Sequence, residues 1–340
     1  MFDLFRRRRQ PKPPHGRRSP PEQHEIVSSF RLAGQDGHPA ATSPVSFLHY
    51  RTSVFNLGDY LSSPRHHLRF VPRAGGRPVA VIGGGVFGRY ERIRGPGEPI
   101  DLDNRARVAW GVGLSLKGED GGGVERLAEM ARSFDAVSTR DPDHVSDMVP
   151  FCPCSSVLNR IVDIPPGEHT GVLLNFDPRA SGRNPLAMLA TFRDVVTGVN
   201  AVSERDFRRY FARCGRVVTN SYHTAFWGLL SGRAVSIVGF SSKYDSIRSM
   251  FNLPVAPRRY AMGDAESLRA AIAAALAENS FVSLDDATAW RERFRDLNRR
   301  YADRLVAAGL FERIEPVVDD DDALDCREAE IFAEYVLREW

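Results

Sequence analysis

Short apolar runs that end in glycine or polar residues and alternate with amphipathic helical stretches are the feature that most limits the fold of this chain. Phe47–Tyr50, Pro78–Ile82, Arg107–Trp110 and Ala136–Thr139 are such runs. Their length and composition fit strands buried inside a parallel sheet. After the third run, Val124–Phe134 sets Val124, Leu127, Met130, Ala131 and Phe134 on one helical face. A second block repeats the alternation with strands Thr170–Phe176, Arg216–Thr219 and Ala234–Gly239, and with helices Pro185–Val199, Glu204–Cys214, Tyr222–Ser231 and Lys243–Phe251. Asp264 then caps a helix with Leu268, Ile272 and Leu276 aligned, and Trp290, Phe294, Leu297, Tyr301 and Leu305 stripe a longer one. This order predicts an α/β protein of two Rossmann-like lobes, each a parallel sheet flanked by helices. Ligands of such sheets gather at the carboxyl ends of the strands.

The 340 residues accommodate two such lobes. Residues 1–25, rich in Arg, Pro, Ser and Gln, read as a disordered basic arm; 26–165 as the N-terminal lobe, 166–315 as the C-terminal lobe, and 316–340 as an acidic linker with a C-terminal helix from about Leu324 to Arg338. Asp163–Gly167, with two prolines and a glycine, is the expected link between lobes.

Seven of the 46 Lys and Arg residues fall within the first twenty positions beside a single acid, Asp3, so the rest of the chain is net negative although the whole carries +3. A folded surface of that balance has no basic stripe, and nucleic acid is not an expected partner. The arm is either inert and solvated or drawn to anionic headgroups at the inner face of the plasma membrane. No apolar leader region follows its arginines and no long apolar run occurs, which predicts a cytoplasmic protein. Cys152, Cys154, Cys214 and Cys326 lack zinc-site spacing and read as reduced thiols, with no metal expected.

Five places at strand ends carry candidate chemistry. Asn56 and Asp59, in Asn-Leu-Gly-Asp after the first strand, can orient a ligand and accept a proton, or only cap the helix that follows. Gly83-Gly84-Gly85 ends the second strand, where Gly84 and Gly85 would let a ligand approach the backbone, or serve a tight turn. Arg140, after the strand ending at Thr139, offers a fork of donors to a phosphate or carboxylate, or pairs with Asp141. Ser221 and His223, in Thr-Asn-Ser-Tyr-His, start a helix after a strand, and Lys243 follows the next strand. Histidine can give and take protons near neutrality, and the lysine can bind phosphate.

Taken in order, Asn56–Asp59, the Gly83–Gly85 triplet, the Trp110–Gly113 turn, Ser138–Asp141, Thr219–His223 and Lys243 resemble the polysaccharide pyruvyl transferase family over about residues 45–255. The resemblance implies a glycosyltransferase-B-like fold and transfer of pyruvyl from phosphoenolpyruvate, as a ketal, onto a sugar of a bacterial exopolysaccharide or cell-surface glycan. It implies a lipid-linked or polymeric saccharide acceptor on the N-terminal side, the donor on the C-terminal side, and no cofactor beyond the donor substrate. Arg140, His223 and Lys243 fall at positions tied to donor binding and catalysis, with Asn56, Gly84, Gly85 and Ser221 among the binding residues. A carboxylate and a phosphate on the donor call for two cations, Arg140 and Lys243, and the residue types suggest His223 as acid and Asp59 as base. The alternatives are a nucleotide-sugar-dependent glycosyltransferase of the same fold and a non-catalytic glycan-binding assembly protein.

Because the arm offers no core contacts, removing residues 1–25 is expected to leave the melting temperature unchanged and to weaken binding to anionic vesicles. Undiminished vesicle binding would leave the arm without a lipid role.

Overall fold

The computed structural model describes residues 26–29, 44–50, 54–83, 85, 104–115 and 123–332. The first half comprises β1 (Ile26–Ser29), β2 (Val45–Tyr50), α1 (Leu57–Leu61), β3 (Leu68–Pro72), β4 (Val79–Gly83), β5 (Ala106–Val112), α2 (Gly123–Ser133) and β6 (Ala136–Thr139). The second comprises β7 (His169–Leu174), α3 (Pro178–Ser181), α4 (Pro185–Leu189), β8 (Val196–Val199), α5 (Glu204–Arg213), β9 (Cys214–Thr219), α6 (Tyr222–Leu230), β10 (Ala234–Gly239), α7 (Ser242–Phe251), β11 (Arg258–Arg259) and α8 (Ala265–Ala277). Three elements close the chain: α9 (Ala287–Ala307), β12 (Phe311–Pro316) and α10 (Asp321–Ile331).

These form an α/β protein with two five-stranded sheets, β1-β2-β4-β5-β6 and β11-β10-β9-β7-β8, together with a two-stranded β12-β3 pair. All neighbours within the large sheets run parallel except β1 with β2. Residues such as those of β4, buried on both faces, explain why the strands read as continuous apolar runs. Apolar clusters line both faces of each sheet: Val79, Val81 and Val108 on one side of the first, Ile82, Ala109 and Leu127 on the other. In the second sheet the connection from β8 crosses β7 to reach β9, so the strand order reverses between β7 and β9. A reversal of this kind opens a crevice at the carboxyl ends, the usual ligand position in open α/β sheets.

Most expected elements are present, and one reading needs correction. The expected helix Pro185–Val199 is α4 followed by β8. The helix stops at Leu189, Asp194 takes a left-handed conformation with φ of 62°, and Gly198 lets β8 pass against the Tyr210 ring, where a Cβ would come within 2.9 Å. The link Asp163–Gly167 is not loose. Arg233 is buried and donates to the carbonyls of Ile164 at 2.8 Å and Pro165 at 2.9 Å, while Gly167 N–H donates to the Cys214 carbonyl at 3.0 Å.

The halves also share elements. Leu57, Tyr60 and Leu61 of α1 pack into the core of the second sheet with Phe226 and Trp227. Tyr301, Leu305 and Phe311 return to the first sheet beside Val79 and Trp110, and β12 pairs antiparallel with β3. Asn298, on α9, pins this return: Trp110 Nε1 donates to its Oδ1 at 2.8 Å, and its Nδ2 donates to Pro153 at 3.2 Å. On the other side α10 ties both halves. Arg327 holds the fully buried Glu204 of α5 at 2.7 Å and Asp319 at 2.6 Å, while Glu330 accepts from Tyr60 OH at 2.8 Å and pairs with Arg65.

Asn298→Ala strands a buried indole N–H and leaves the Pro153 carbonyl only the weak Cys152 thiol donor, and each lost partner costs about 1–3 kcal/mol. Urea unfolding is expected to show a loss of about 2–4 kcal/mol, and a loss below about 1 kcal/mol would mean the pin is dispensable.

Candidate active site

The carboxyl ends of the two parallel sheets meet, and the meeting is made by polar groups. Ser115, just after β5, donates to Ser241, just after β10, at 2.8 Å. Asn200, after β8, donates from Nδ2 to Asn56 Oδ1 at 3.0 Å, and its carbonyl accepts Leu57 N–H at 3.0 Å. Asn56 caps α1, its Oδ1 taking Gly58 N–H at 3.0 Å and Asp59 N–H at 3.4 Å, while its Nδ2 donates to Asp59 Oδ2 at 2.9 Å. The capping role is therefore present, and it also aims Asp59 at the second half.

His223 lies in the first turn of α6, which Ser221 caps by accepting Thr224 N–H at 3.4 Å. Its ring is 4% exposed and sits at the seam between the halves, against Gly58, where a Cβ would come within 2.2 Å of Nδ1. Only glycine permits α1 to approach α6 so closely. His223 Nδ1 is 3.9 Å from Asp59 Oδ1, and Nε2 is 3.5 Å from Arg140 Nη1.

Arg140 extends from the end of β6 across the seam at 1% exposure, with its guanidinium 4.0 Å over the Tyr222 ring. Gly113 gives it room, since a Cβ there would lie 2.4 Å from Nε. Among the described residues no carboxylate oxygen lies within 4.0 Å of its nitrogens, and Arg140 Nε and Tyr222 OH are buried without a hydrogen-bond partner. Lys243, on the first turn of α7, is half-buried with Nζ 4.8 Å from the Phe240 ring and 4.9 Å from that of Tyr244.

Burial and these two cations set the titration of the proton-carrying groups. Burial lifts the Asp59 carboxyl from 3.8 to about 6, against the opposing fields of Lys243 and Arg140. Burial pushes His223 well below its ordinary value, and Arg140 and Lys243 push it further. Burial disfavours the Arg140 charge too, yet Tyr222, Cys154, Asp141 and Asp59 hold it above its ordinary value. His223 is thus neutral and Asp59 is the group inclined to keep a proton, a separation typical of acid–base sites.

Of the residues expected from sequence, Asp59, Asn56, Arg140, His223, Lys243 and Ser221 come together here. Gly85 is buried with φ of 77°, its carbonyl accepting Gly113 N–H at 3.4 Å, while Gly84 and the basic arm lie outside the described residues. Gly83 serves packing, since a Cβ would meet Pro64 at 2.3 Å. Sequence reasoning left three participants without a role: Tyr222 beneath Arg140, Cys154 with Sγ 3.7 Å from His223 Nε2, and Asn200 on Asn56. The tight Cys-Pro-Cys-Ser-Ser run was the available signal for the second. Among the described residues no group of three or more His, Cys, Asp or Glu is placed to hold a metal ion, and no helix is long and apolar enough to cross a membrane. No family model, curated protein or solved structure matches the chain.

Asp59 supplies a test of these electrostatics. Its folded-state pKa lies above the unfolded one, so the folded state binds more protons between about 4 and 6, and stability falls as pH rises through that window. Above it the full penalty, about 3 kcal/mol, applies. Asp59→Asn is expected to raise unfolding free energy by up to that amount at pH 8 and to give no gain below pH 4. Equal or lower stability at pH 8 would show that the cations hold the ionised carboxylate comfortably.

Proposed function

We propose that the protein transfers the pyruvyl unit of phosphoenolpyruvate to a pair of hydroxyls on a sugar of a bacterial exopolysaccharide or cell-surface glycan, within a glycosyltransferase-B-like arrangement of two lobes. The observation that carries this reading is Arg140: a buried guanidinium with an unpartnered Nε and no carboxylate within 4.0 Å among the described residues, beside a second cation and two proton-carrying groups. A buried charge without a counterion is costly, and an anionic ligand supplies one. Two separated cations, Arg140 and Lys243, match the carboxylate and phosphate of the donor. The motif order along residues 45–255 supports the same assignment.

The donor's anions take up the fields of Arg140 and Lys243 that hold Asp59 down, so donor binding raises the Asp59 pKa further and loads it with a proton. Asp59 then acts as the acid, protonating the methylene carbon to give an oxocarbenium-like centre at C2. One acceptor hydroxyl bonds to C2 and gives its proton to the Asp59 carboxylate. The second hydroxyl closes the ketal as the C2–O bond to phosphate breaks, and phosphate leaves with the second proton. His223, neutral with Nδ1 toward Asp59, steadies the carboxylate between these steps. Asp59 thus takes the acid role that residue type alone suggested for His223 and keeps its own as base, while His223 supports it. The acceptor is a lipid-linked or polymeric saccharide at the inner face of the membrane.

Purified protein incubated with phosphoenolpyruvate and a glycan extract is expected to release phosphate and add a pyruvyl mass increment to the glycan. Asp59→Asn should lower kcat by about 10²–10⁴-fold, whereas Arg140→Ala should act chiefly on KM. Thermal stabilisation by UDP-glucose and none by phosphoenolpyruvate would replace this reading with nucleotide-sugar glycosyl transfer. Glycan binding with no turnover would leave a binding protein.

A further inference from the structure

Behind His223 lies a buried chain of hydrogen bonds that the reaction steps above do not use. Trp227 Nε1 donates to Ser156 Oγ at 3.0 Å, Ser156 Oγ is 3.2 Å from Cys154 Sγ, and Cys154 Sγ is 3.7 Å from His223 Nε2. Cys154, Ser156 and Trp227 are all essentially inaccessible, at 1%, 0% and 0% exposure. The ends of this chain fix its direction. An indole N–H can only donate and takes one of the two lone pairs of Ser156 Oγ, so the hydroxyl hydrogen is available to Sγ, and the thiol hydrogen goes to Nε2 once that nitrogen is an acceptor. At the other end, Arg140 Nη1 lies 3.5 Å from the same Nε2 and can likewise only donate. Nε2 is therefore an acceptor, and the ring hydrogen sits on Nδ1, which faces Asp59 Oδ1 at 3.9 Å.

The two donors on Nε2 are not equivalent during turnover. An anion bound to Arg140 draws its N–H groups toward itself, and the thiol is then the donor left on Nε2. We infer that Cys154 is a positioning residue that holds His223 as its Nδ1–H tautomer while an anionic donor occupies Arg140. This rests on the reading of Arg140 as the anion cradle. Without the thiol hydrogen, an Arg140 engaged by an anion no longer forbids the Nε2–H form. Nδ1 of that form presents a lone pair to Asp59, so it repels the carboxylate that Asp59 becomes on giving up its proton and removes the support that state needs.

The tautomer can be read from the ¹⁵N shifts and long-range couplings of the His223 ring, assigned by the signals that vanish in His223→Gln, with inorganic phosphate as the probe anion. Wild type and Cys154→Ser, which keeps a donor, are expected to show Nδ1–H with and without phosphate. Cys154→Ala is expected to match them without phosphate and to show mixed tautomers with it. Cys154→Val, which lacks a donor and leaves no cavity, should behave as Ala does and serves if the Ala variant does not fold. In turnover with phosphoenolpyruvate, Cys154→Ala should lower kcat about tenfold at a nearly constant KM, with Cys154→Ser restoring it. An Nδ1–H tautomer that persists in the Ala or Val variant under phosphate, or Nε2–H in wild type, would overturn the inference. Absence of phosphate release by wild type would instead overturn the transferase reading, and the ring spectra would still decide the role of Cys154.

Discussion

A guanidinium buried with no carboxylate oxygen within 4.0 Å among the described residues is the constraint on which the rest of the site depends. Arg140 is carried across the seam on a strand end, and its neighbours are chosen for it: Gly113 leaves it space, Tyr222 offers a ring face at 4.0 Å, and His223 offers a neutral nitrogen. Stacking on an aromatic face offsets part of the desolvation of a cation, but less than a carboxylate would. The remaining deficit is expressed in the groups around it. His223 loses its affinity for a proton through burial and partly because Arg140 is near, and the fields of Lys243 and then Arg140 keep the Asp59 carboxyl from rising further than it does.

The parts of the fold legible in the sequence are those whose signal is local. β4, β5, β6 and β10 announce themselves because strands buried on both faces are rich in apolar and small residues, and α6 and α8 because Ser221 and Asp264 cap them. What escaped depends on partners distant in the chain. β3 and β12 are short, carry Arg69, Glu312, Arg313 and Glu315, and exist because each supplies the other's ladder across more than half the sequence. β8 was lost inside a helical reading because Pro185 and Leu189 set a helical start that Asp194, in the left-handed region, then ends.

The site divides the same way. Strand ends are predictable loci, so Asp59, Arg140, His223 and Lys243 could be named from position and residue type. Their protonation could not, because it depends on burial and on charges brought from the other sheet. Asp59 and His223 lie far apart in sequence, and only the seam makes the carboxyl the better proton holder of the two. Cys154 was equally opaque. Its thiol matters only because the turn after Pro153 sets it behind an imidazole supplied by the second half.

The fastening of α10 has a consequence for how the halves move. Glu330 grips Tyr60 and Arg65 of the first half, and Arg327 on the same helix grips Glu204 of the second, while on the opposite side β12 is laddered to β3. Opening the seam as a hinge would have to release at least the Glu330 contacts, and partly buried charged hydrogen bonds of this kind are worth about 1.5–3 kcal/mol each. An open form is then a minor population, on the order of one molecule in a hundred or fewer. Ligand exchange that required it would be gated by how often the clasp lets go, so the rate of arrival at the site would be set far from the residues that carry the chemistry.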